Sequence, residues 1–309
     1  MNKMISELQE KDSVEMYAMI QQLSKGVNPN QDYYLILTLQ DKSGSIDARC
    51  WSIKAEDLDK FKVGMIVKVK GNIISHRKAL QFRITHIEQA QEEVDYDLFV
   101  KNSPYSKDEL KQGIKSYIEK MQNNNLKQLV EAIIHDYEEA FYTYPAAVKN
   151  HHDYLGGLAT HVLGMLKISD GICEQYRFLD KDLLVAGIIL HDIGKIIELS
   201  GVVGCEYTIE GNLIGHITLV YGLVERYIER LQLQGEALLL LRHLLLAHHG
   251  KNEYGSPVLP MIAEAEILYL IDNIDARMQS FEKQYAQQES GTFSPRIFAL
   301  ENRMIYKHK

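Results

Sequence analysis

The chain has 309 residues, of which 46% are hydrophobic and 25% are charged, and this length and composition suit two domains that each bury a core. Its formal net charge of -8 argues against a protein that coats nucleic acid through bulk positive charge, although a local basic groove is compatible with it. No apolar run reaches the ~20 residues of a membrane helix, and the polar start 1–12 is unlike a signal peptide. We therefore expect no association with a membrane.

The three cysteines, Cys50, Cys173 and Cys205, lie far apart in the sequence. Their odd number and wide spacing match neither a disulfide framework nor a zinc-knuckle pattern. Small buried thiols in a reducing compartment are the simplest interpretation, which indicates a cytoplasmic protein.

The segment 13–90 alternates apolar and polar residues in short runs at 14–20, 33–39, 46–50, 67–71 and 80–84. Because successive side chains of a strand point to opposite faces, this period of two predicts five half-buried strands. Between the third and fourth runs, residues 52–63 carry helix-forming residues and end at Gly64. The order β-β-β-α-β-β is that of a five-stranded OB barrel. We place this all-β domain at residues 1–92.

The same alternation predicts which barrel side chains face solvent. The outward aromatic and basic candidates are Tyr34, Arg49, Trp51, Lys68 and Arg83. Strands two and three form the usual ligand face of an OB barrel, and such side chains suit base stacking and phosphate contacts. We therefore expect this domain to bind single-stranded RNA or DNA. Exposed aromatic and lysine side chains are also common without such a role, and Trp51 could instead pack against the other domain.

The rest of the chain has helical character. Residues 93–130 are predicted to be a helical connector, in which Ser106 and Glu109 have the spacing of an N-cap and its capping-box partner. Residues 131–309 are predicted to be an all-α domain, since apolar residues recur with helical spacing to about Gln288. The tail 291–309 has a mixed character that predicts no element.

Histidines and aspartates recur on successive apolar helical stretches of this second domain. The set is His161, His191, Asp192, His216, His248, His249 and Asp272. A single such histidine is more commonly a hydrogen-bonded core residue, but burying several unpaired imidazoles and carboxylates is costly, and coordination to a cation removes that cost. Imidazole and carboxylate ligands suit manganese, iron, cobalt, zinc or magnesium. The sequence therefore predicts a metal centre.

Part of this set resembles the H…HD…D signature of the HD-domain metal phosphohydrolases. The histidine at 161, the pair at 191–192 and the aspartate at 272 match it, and residues 191–195 match the extended HDxGK form. The resemblance implies two divalent ions. The first would be held by His161, His191, Asp192 and Asp272, and the second by His216, His248 and His249, with Asp192 bridging. Residues 250–257 depart from the glycine-tyrosine-proline motif of the cyclic-dinucleotide phosphodiesterases in that superfamily, which lowers the case for such a substrate.

The combination of features is more specific than either half. An OB domain, the segment 150–158 (NHHDYLGGL) and the HD residues together resemble the YhaM family of bacterial 3′→5′ exoribonucleases over nearly the whole chain. The resemblance implies metal-dependent trimming of single-stranded RNA, and of DNA, from the 3′ end to mononucleotides. It also implies a preference for manganese.

Asp192 and Lys195 are the candidate catalytic residues. Two cations that share a water lower its pKa and produce a hydroxide that attacks phosphorus, and a lysine within one turn of the HD pair could hold a substrate phosphate. A solvated lysine at a helix end is the alternative for Lys195. Weaker candidates for orienting a ligand or contacting a phosphate are His151, His152, Asp275 and Arg277.

Two other functions remain open at this point. One is a different HD-type phosphohydrolase acting on nucleotides or cyclic dinucleotides, with the barrel as a regulatory or assembly module. The other is a non-catalytic nucleic-acid-binding protein in which metal only joins helices, although a closed structural site would not require Lys195 beside it. A homo-oligomer would help an acidic chain hold a long strand.

Overall fold

The computed structural model divides the chain into two compact units, Met1–Asn102 and Ser103–Lys309. It describes residues 3–28, 31–76, 79–90, 94, 98–100, 102–147, 154–201 and 205–309. The first unit is all-β in its regular structure and the second is mainly helical. An N-terminal OB barrel followed by a C-terminal all-α domain, as expected from the sequence, is therefore confirmed.

The first unit is a closed five-stranded barrel. Its strands are β1 (Ser13–Val27), β2 (Tyr33–Asp41), β3 (Gly44–Ile53), β4 (Ile66–His76) and β5 (Ala79–Gln89). They follow the order β1-β2-β3-β5-β4, in which β3 and β5 are parallel and the other pairs are antiparallel. β1 pairs with β4 along its first half and with β2 along its second, and the β1–β2 pairing contains a register shift between Ile20 and Gln22. This bend lets one long strand close the barrel.

The prediction of an α-helix between the third and fourth strands is wrong. The segment contains only a 3-10 helix, Ala55–Asp57, followed by further tight turns with bonds between residues three apart, such as Lys60 N to Asp57 O at 3.2 Å. Phe61 is buried, whereas Leu58 is only partly buried against the barrel core. Two apolar side chains do not provide the continuous face that stabilises a short α-helix in water.

The barrel core follows the predicted alternation. Leu35, Leu37 and Leu39 of β2 are at most 1% exposed, and Ala48 and Phe82 on neighbouring strands are fully buried. The residues between them face outward, so the predicted assignment of inner and outer faces is confirmed for these strands.

The second unit packs its helices around one core. They are α1 (Lys107–Lys120), α2 (Asn124–Asp136), α3 (Glu138–Thr143), α4 (Gly157–Gln175), α5 (Lys181–Leu190), α6 (Lys195–Glu198), α7 (Ile209–Ile214), α8 (His216–Arg230), α9 (Glu236–Ala247) and α10 (Ala263–Gln287). α5 is the central helix, because every residue from Leu183 to Leu190 is buried. The tail forms a two-stranded sheet of β6 (Thr292–Phe293) and β7 (Tyr306–Lys307).

The segment expected as a connector contributes to this core. Leu110 and Ile114 of α1 and Leu126 and Leu129 of α2 are at most 1% exposed and belong to the same apolar cluster as α5. Ser106 caps α1 through the predicted exchange with Glu109. The structure therefore divides the chain after Asn102, and not at the limits 1–92, 93–130 and 131–309 that the sequence suggested. The amphipathic pattern of α1 and α2 is the physical reason, since a free connector would leave their apolar faces in water.

Candidate metal centre

The predicted ligand residues lie within or directly after five helices, which are α4, α5, α8, α9 and α10. His191 directly follows α5 as its C-cap, and Asp192 comes next in the chain. His216 is the first residue of α8, and His248 is the C-cap of α9. Because α5 is buried throughout, the residues that follow it lie in the interior, where His191 is fully buried and Asp192 is 3% exposed.

One group of donor atoms comes from His161, His191 and Asp192, and these atoms lie within 4.8 Å of one another. The Asp192 Oδ2 atom is 3.3 Å from His191 Nε2 and 3.9 Å from His161 Nε2. Asp272 of α10 lies beside them, with its Oδ1 atom 3.2 Å from His161 Nε2. Two imidazoles and two carboxylates thus converge on one position.

A second group comes from His216, His248 and His249, whose donor atoms also lie within 4.8 Å of one another. The other oxygen of Asp192, Oδ1, is 3.6 Å from His216 Nε2 and 3.9 Å from His248 Nε2. One oxygen of the Asp192 carboxylate therefore faces the first group, and the other oxygen faces the second group.

Backbone carbonyls orient several of these rings. Nδ1 of His191 donates to Ile188 O at 2.9 Å, and Nδ1 of His248 donates to Leu245 O at 2.7 Å. Since a carbonyl oxygen only accepts hydrogen bonds, the proton is on Nδ1 and the lone pair of Nε2 faces the centre. His249 has the same arrangement, with Nδ1 bound to Tyr254 O at 2.7 Å.

Four buried atoms at the centre have no hydrogen-bond partner among the described residues: Nε2 of His191, His216 and His248, and Oδ1 of Asp192. Leaving buried polar atoms unpaired is costly, and native structures contain few of them. Lone pairs of imidazole and carboxylate that converge on one point suit a divalent cation. The residues present therefore fit a metal centre.

Two further carboxylates hold ligand histidines from behind. Asp275 Oδ2 lies 2.7 Å from His161 Nδ1, as expected for an orienting residue. Glu198, at the end of α6, accepts from the backbone N of His216 at 2.9 Å and lies 3.1 Å from its Nδ1. Glu198 was not among the candidates drawn from the sequence. Its only signal there was an acidic residue one helical turn after Lys195.

Lys195 points at the centre. Its Nζ atom donates to Asp192 Oδ2 at 2.7 Å, and its side chain is only 12% exposed. Burial opposes the charged form, but Asp192 outweighs this effect and raises the pKa of Lys195. Gly194 allows this turn to approach α8, because a Cβ atom there would lie 2.3 Å from His216 O.

The electrostatics of the two groups differ. Burial, followed by the neighbouring imidazoles of His191 and His249, which would repel a second positive charge, holds the pKa of His248 well below its usual value, and burial also lowers the pKa of His249. These imidazoles stay neutral at neutral pH, as ligands must. Burial opposes protonation of His161, but Asp272 and Asp275 raise its pKa to about 10. A proton and a cation therefore compete for this ring.

The weaker sequence candidates have different surroundings. Arg277 binds Glu301, with an Nη2–Oε2 distance of 3.1 Å, so its guanidinium already has a carboxylate partner. His151 and His152 lie outside the described residues.

The barrel brings four of its five candidate residues to one face. Arg49 of β3 is the cross-strand partner of Arg83 on β5, and the rings of Tyr34 and Trp51 lie 5.3 Å apart. Arg49 lies over the Trp51 ring at 5.5 Å. Lys68 is on β4, opposite Tyr17 of β1, where its Nζ binds Glu15 at 2.7 Å.

Comparisons with known proteins agree with this division of the chain. The model of the HD domain family matches residues 158–277, and the model of the OB-fold nucleic acid binding domain matches residues 14–90. A relative from Geobacillus sp. (strain WCH70), described as 3′-5′ exoribonuclease YhaM, is 42% identical over 298 residues, which cover 96% of this chain and 92% of that protein.

Solved structures give likenesses over less than a third of the chain. The second OB-fold domain of replication protein A from Methanococcus maripaludis is 24% identical with a TM-score of 0.24, over 31% of this chain and all of that one. The single-stranded DNA binding protein from Thermus aquaticus is 14% identical with a TM-score of 0.25, over 27% of this chain and 42% of that one. None of the described helices has the length and apolar composition needed to cross a membrane.

Proposed function

The chain belongs to the family of 3′-5′ exoribonuclease YhaM, and we propose that it hydrolyses the phosphodiester bonds of single-stranded RNA from the 3′ end, releasing mononucleotides. It is an HD-domain hydrolase with an OB-fold domain of a nucleic-acid-binding family. We propose single-stranded DNA as a second substrate, because stacking on aromatic side chains does not require a 2′-hydroxyl.

The position of Asp192 is the observation that carries this proposal. Its two oxygens face two separate histidine groups, at 3.3 Å from His191 Nε2 and 3.6 Å from His216 Nε2. A carboxylate between two sets of ligands is what a two-metal phosphodiesterase requires, since both ions must act on one phosphate.

In this proposal His161, His191, Asp192 and Asp272 hold one divalent ion, and His216, His248, His249 and Asp192 hold the other. We propose manganese as the ion because the family resemblance implies it, and imidazole and carboxylate ligands without a thiolate suit it, as they also suit iron, cobalt, zinc or magnesium. When bound, the ions supply a nucleophilic hydroxide at neutral pH and neutralise charge on the phosphate.

The other residues of the centre orient and bind. Asp275 and Glu198 fix the rings of His161 and His216 from their Nδ1 sides, so that each Nε2 is directed inward. Lys195 holds a positive charge beside Asp192, where its Nζ can donate to a phosphoryl oxygen as charge develops in the transition state.

The test is degradation of a 5′-labelled single-stranded RNA with added Mn²⁺ by the native chain and by Asp192→Ala. We expect a ladder that shortens from the 3′ end, and its loss in the variant. Asp170→Ala is a matched control, because Asp170 is an exposed aspartate of α4 that binds Lys181.

The outcomes separate the alternatives. Cleavage of nucleotides or cyclic dinucleotides without cleavage of RNA would replace the exonuclease by another HD-type hydrolase. Tightly bound metal without any hydrolysis would leave a structural site. Release of the labelled 5′ nucleotide without a ladder of shortened fragments would contradict the polarity.

We also propose a cytoplasmic location, which the thiols of Cys173 and Cys205 support because neither forms a disulfide. Alkylation of these thiols in intact cells, read by mass spectrometry, is the check. A homo-oligomer stays a prediction that light scattering tests.

A further inference from the structure

A short loop joins a candidate ligand to an exposed aromatic side chain. It runs from Gly250 to Ser256, directly after the histidine pair, and includes the 3-10 helix Asn252–Tyr254. The carbonyl of Tyr254 accepts the Nδ1 hydrogen of His249 at 2.7 Å. The residue that fixes the tautomer of a candidate ligand is thus the residue whose ring faces solvent.

The loop is held in one conformation by its own hydrogen bonds. Tyr254 N and Ser256 N both donate to Lys251 O, at 3.0 and 3.2 Å, and Asn252 Nδ2 donates to Ser256 O at 2.9 Å. A side chain presented by a fixed loop loses little conformational entropy when it binds a ligand.

The loop also packs against α10. Gly250 has a φ of +73°, and a Cβ atom there would lie 2.3 Å from the ring of Tyr269. The backbone therefore lies directly on this ring, one helical turn before Asp272. The loop is consequently anchored to both candidate ligand groups, through His249 on one side and through α10 on the other.

The exposed groups of the loop suit a nucleotide. The side chain of Tyr254 is 52% exposed, and Lys251 Nζ lies 5.4 Å from its ring centroid. Unpaired bases of single-stranded RNA stack on such rings, and the lysine, whose Nζ lies over the ring, can contact a phosphate. Glu253 is exposed in the same loop, so the loop has no net positive charge and the aromatic ring is the main contact.

Other exposed tyrosines of this unit lack this connection. Tyr176 is 49% exposed at the end of α4, and its ring contacts Phe178. Among the described residues, no hydrogen bond ties Tyr176 to a candidate ligand, whereas Tyr254 is one hydrogen bond from His249.

We propose that this loop is the subsite for the 3′-terminal nucleotide of the RNA, with the base stacked on Tyr254 and a phosphate contacted by Lys251. This inference rests on the proposed exonuclease function and adds the residue that positions the strand end at the metal centre. Tyr254 recognises the aromatic face that all four bases share, so the subsite accepts every sequence.

The test compares two RNAs that differ only at the last nucleotide, which carries either a base or a hydrogen at C1′. With the normal RNA, Tyr254→Ala lowers kcat/KM on the order of tenfold, from the loss of one base-stacking contact. With the base-free end, the native enzyme shows a loss of the same order, and Tyr254→Ala causes no further loss. Tyr254→Phe keeps the native rate on both RNAs, and Tyr176→Ala changes neither.

Two results would overturn the inference. An equal loss on both RNAs in Tyr254→Ala would make the role of the ring structural, and a tenfold loss in Tyr254→Phe would assign the effect to the hydroxyl. Failure of the native chain to shorten either RNA would instead overturn the proposed function. Binding of Mn²⁺ by Tyr254→Ala, measured by calorimetry, confirms that the backbone contact to His249 survives.

Discussion

The two units of the chain treat their buried polar groups in opposite ways. In the described part of the barrel unit, Asp41 is the one buried polar side chain, and it accepts from Ile5 N, Ser43 N and Ser43 Oγ. In the helical unit, His191, Asp192 and His248 are buried. Nε2 of each histidine and Oδ1 of Asp192 have no hydrogen-bond partner among the described residues.

The barrel unit therefore satisfies its buried polar side chain by itself, whereas the helical unit requires a ligand to do so. The barrel satisfies its buried carboxylate with its own chain, so we expect its stability to be independent of metal. The helical unit buries lone pairs that no described group satisfies and that a cation can satisfy. We therefore expect metal to stabilise the helical unit alone. We expect single-stranded RNA to be bound by the outer face of the barrel and by the subsite for its 3′-terminal nucleotide.

The largest expected effect is on turnover. Lys195→Met removes the charge 2.7 Å from Asp192 Oδ2, and kcat should fall on the order of 10²- to 10³-fold, as when a single donor to a transition-state oxyanion is removed. The affinity of the barrel for a short RNA should not change. Single-turnover kinetics and fluorescence anisotropy measure the two quantities. Lys181→Met, at an exposed lysine of α5, is the control, and an equal loss of RNA affinity in Lys195→Met would break the comparison.

Metal should stabilise only one unit. At a Mn²⁺ concentration of 100 times Kd, linkage predicts about 2.7 kcal/mol of added stability, and chelation should remove it. Hydrogen exchange read by mass spectrometry should show new protection in α4, α5, α8, α9 and α10, and none in β1 to β5. Equal protection of barrel peptides would contradict the division into a complete unit and a metal-requiring unit.

The aromatic pair of the barrel should contribute to affinity and not to metal binding. Trp51 is 43% exposed, so Trp51→Ala leaves the barrel core intact while removing a stacking surface worth about 1–3 kcal/mol per base. Anisotropy with a labelled RNA should show weaker binding, and Mn²⁺ titration should be unchanged. Phe178→Ala, at a 75% exposed side chain of the helical unit, should affect neither.

The smallest effect concerns salt. Arg83→Gln should reduce the slope of log K against log salt by about 0.7, the value for one phosphate of a single strand. Lys68→Gln should leave the slope nearly unchanged, because Glu15 already binds Lys68 Nζ at 2.7 Å. Affinities over a salt series measure both variants. Equal changes of slope in the two variants would mean that Lys68 also contacts a phosphate of the RNA.

The sequence by itself determined the strand faces and the residue types of the candidate ligands. Side chains of a strand point to alternate faces with a fixed period. The sequence pattern alone was therefore enough to predict that Leu35 faces inward and Tyr34 faces outward. Apolar helical stretches interrupted by histidine and aspartate indicated a buried metal centre, because an unpaired polar side chain in the core is costly. The sequence pattern of helix formers in 52–63 was misleading, since helix propensity without a continuous apolar face does not make a helix.

Only the tertiary structure decided how these residues meet. His161 and Asp272 lie on different helices and meet at 3.2 Å because α4 and α10 pack side by side in one core. Glu198 reaches His216 only because α6 packs against α8, and Gly250 lies on the ring of Tyr269 only because the loop after α9 packs against α10. Contacts between residues far apart in sequence depend on packing, and packing leaves no periodic signal in the chain.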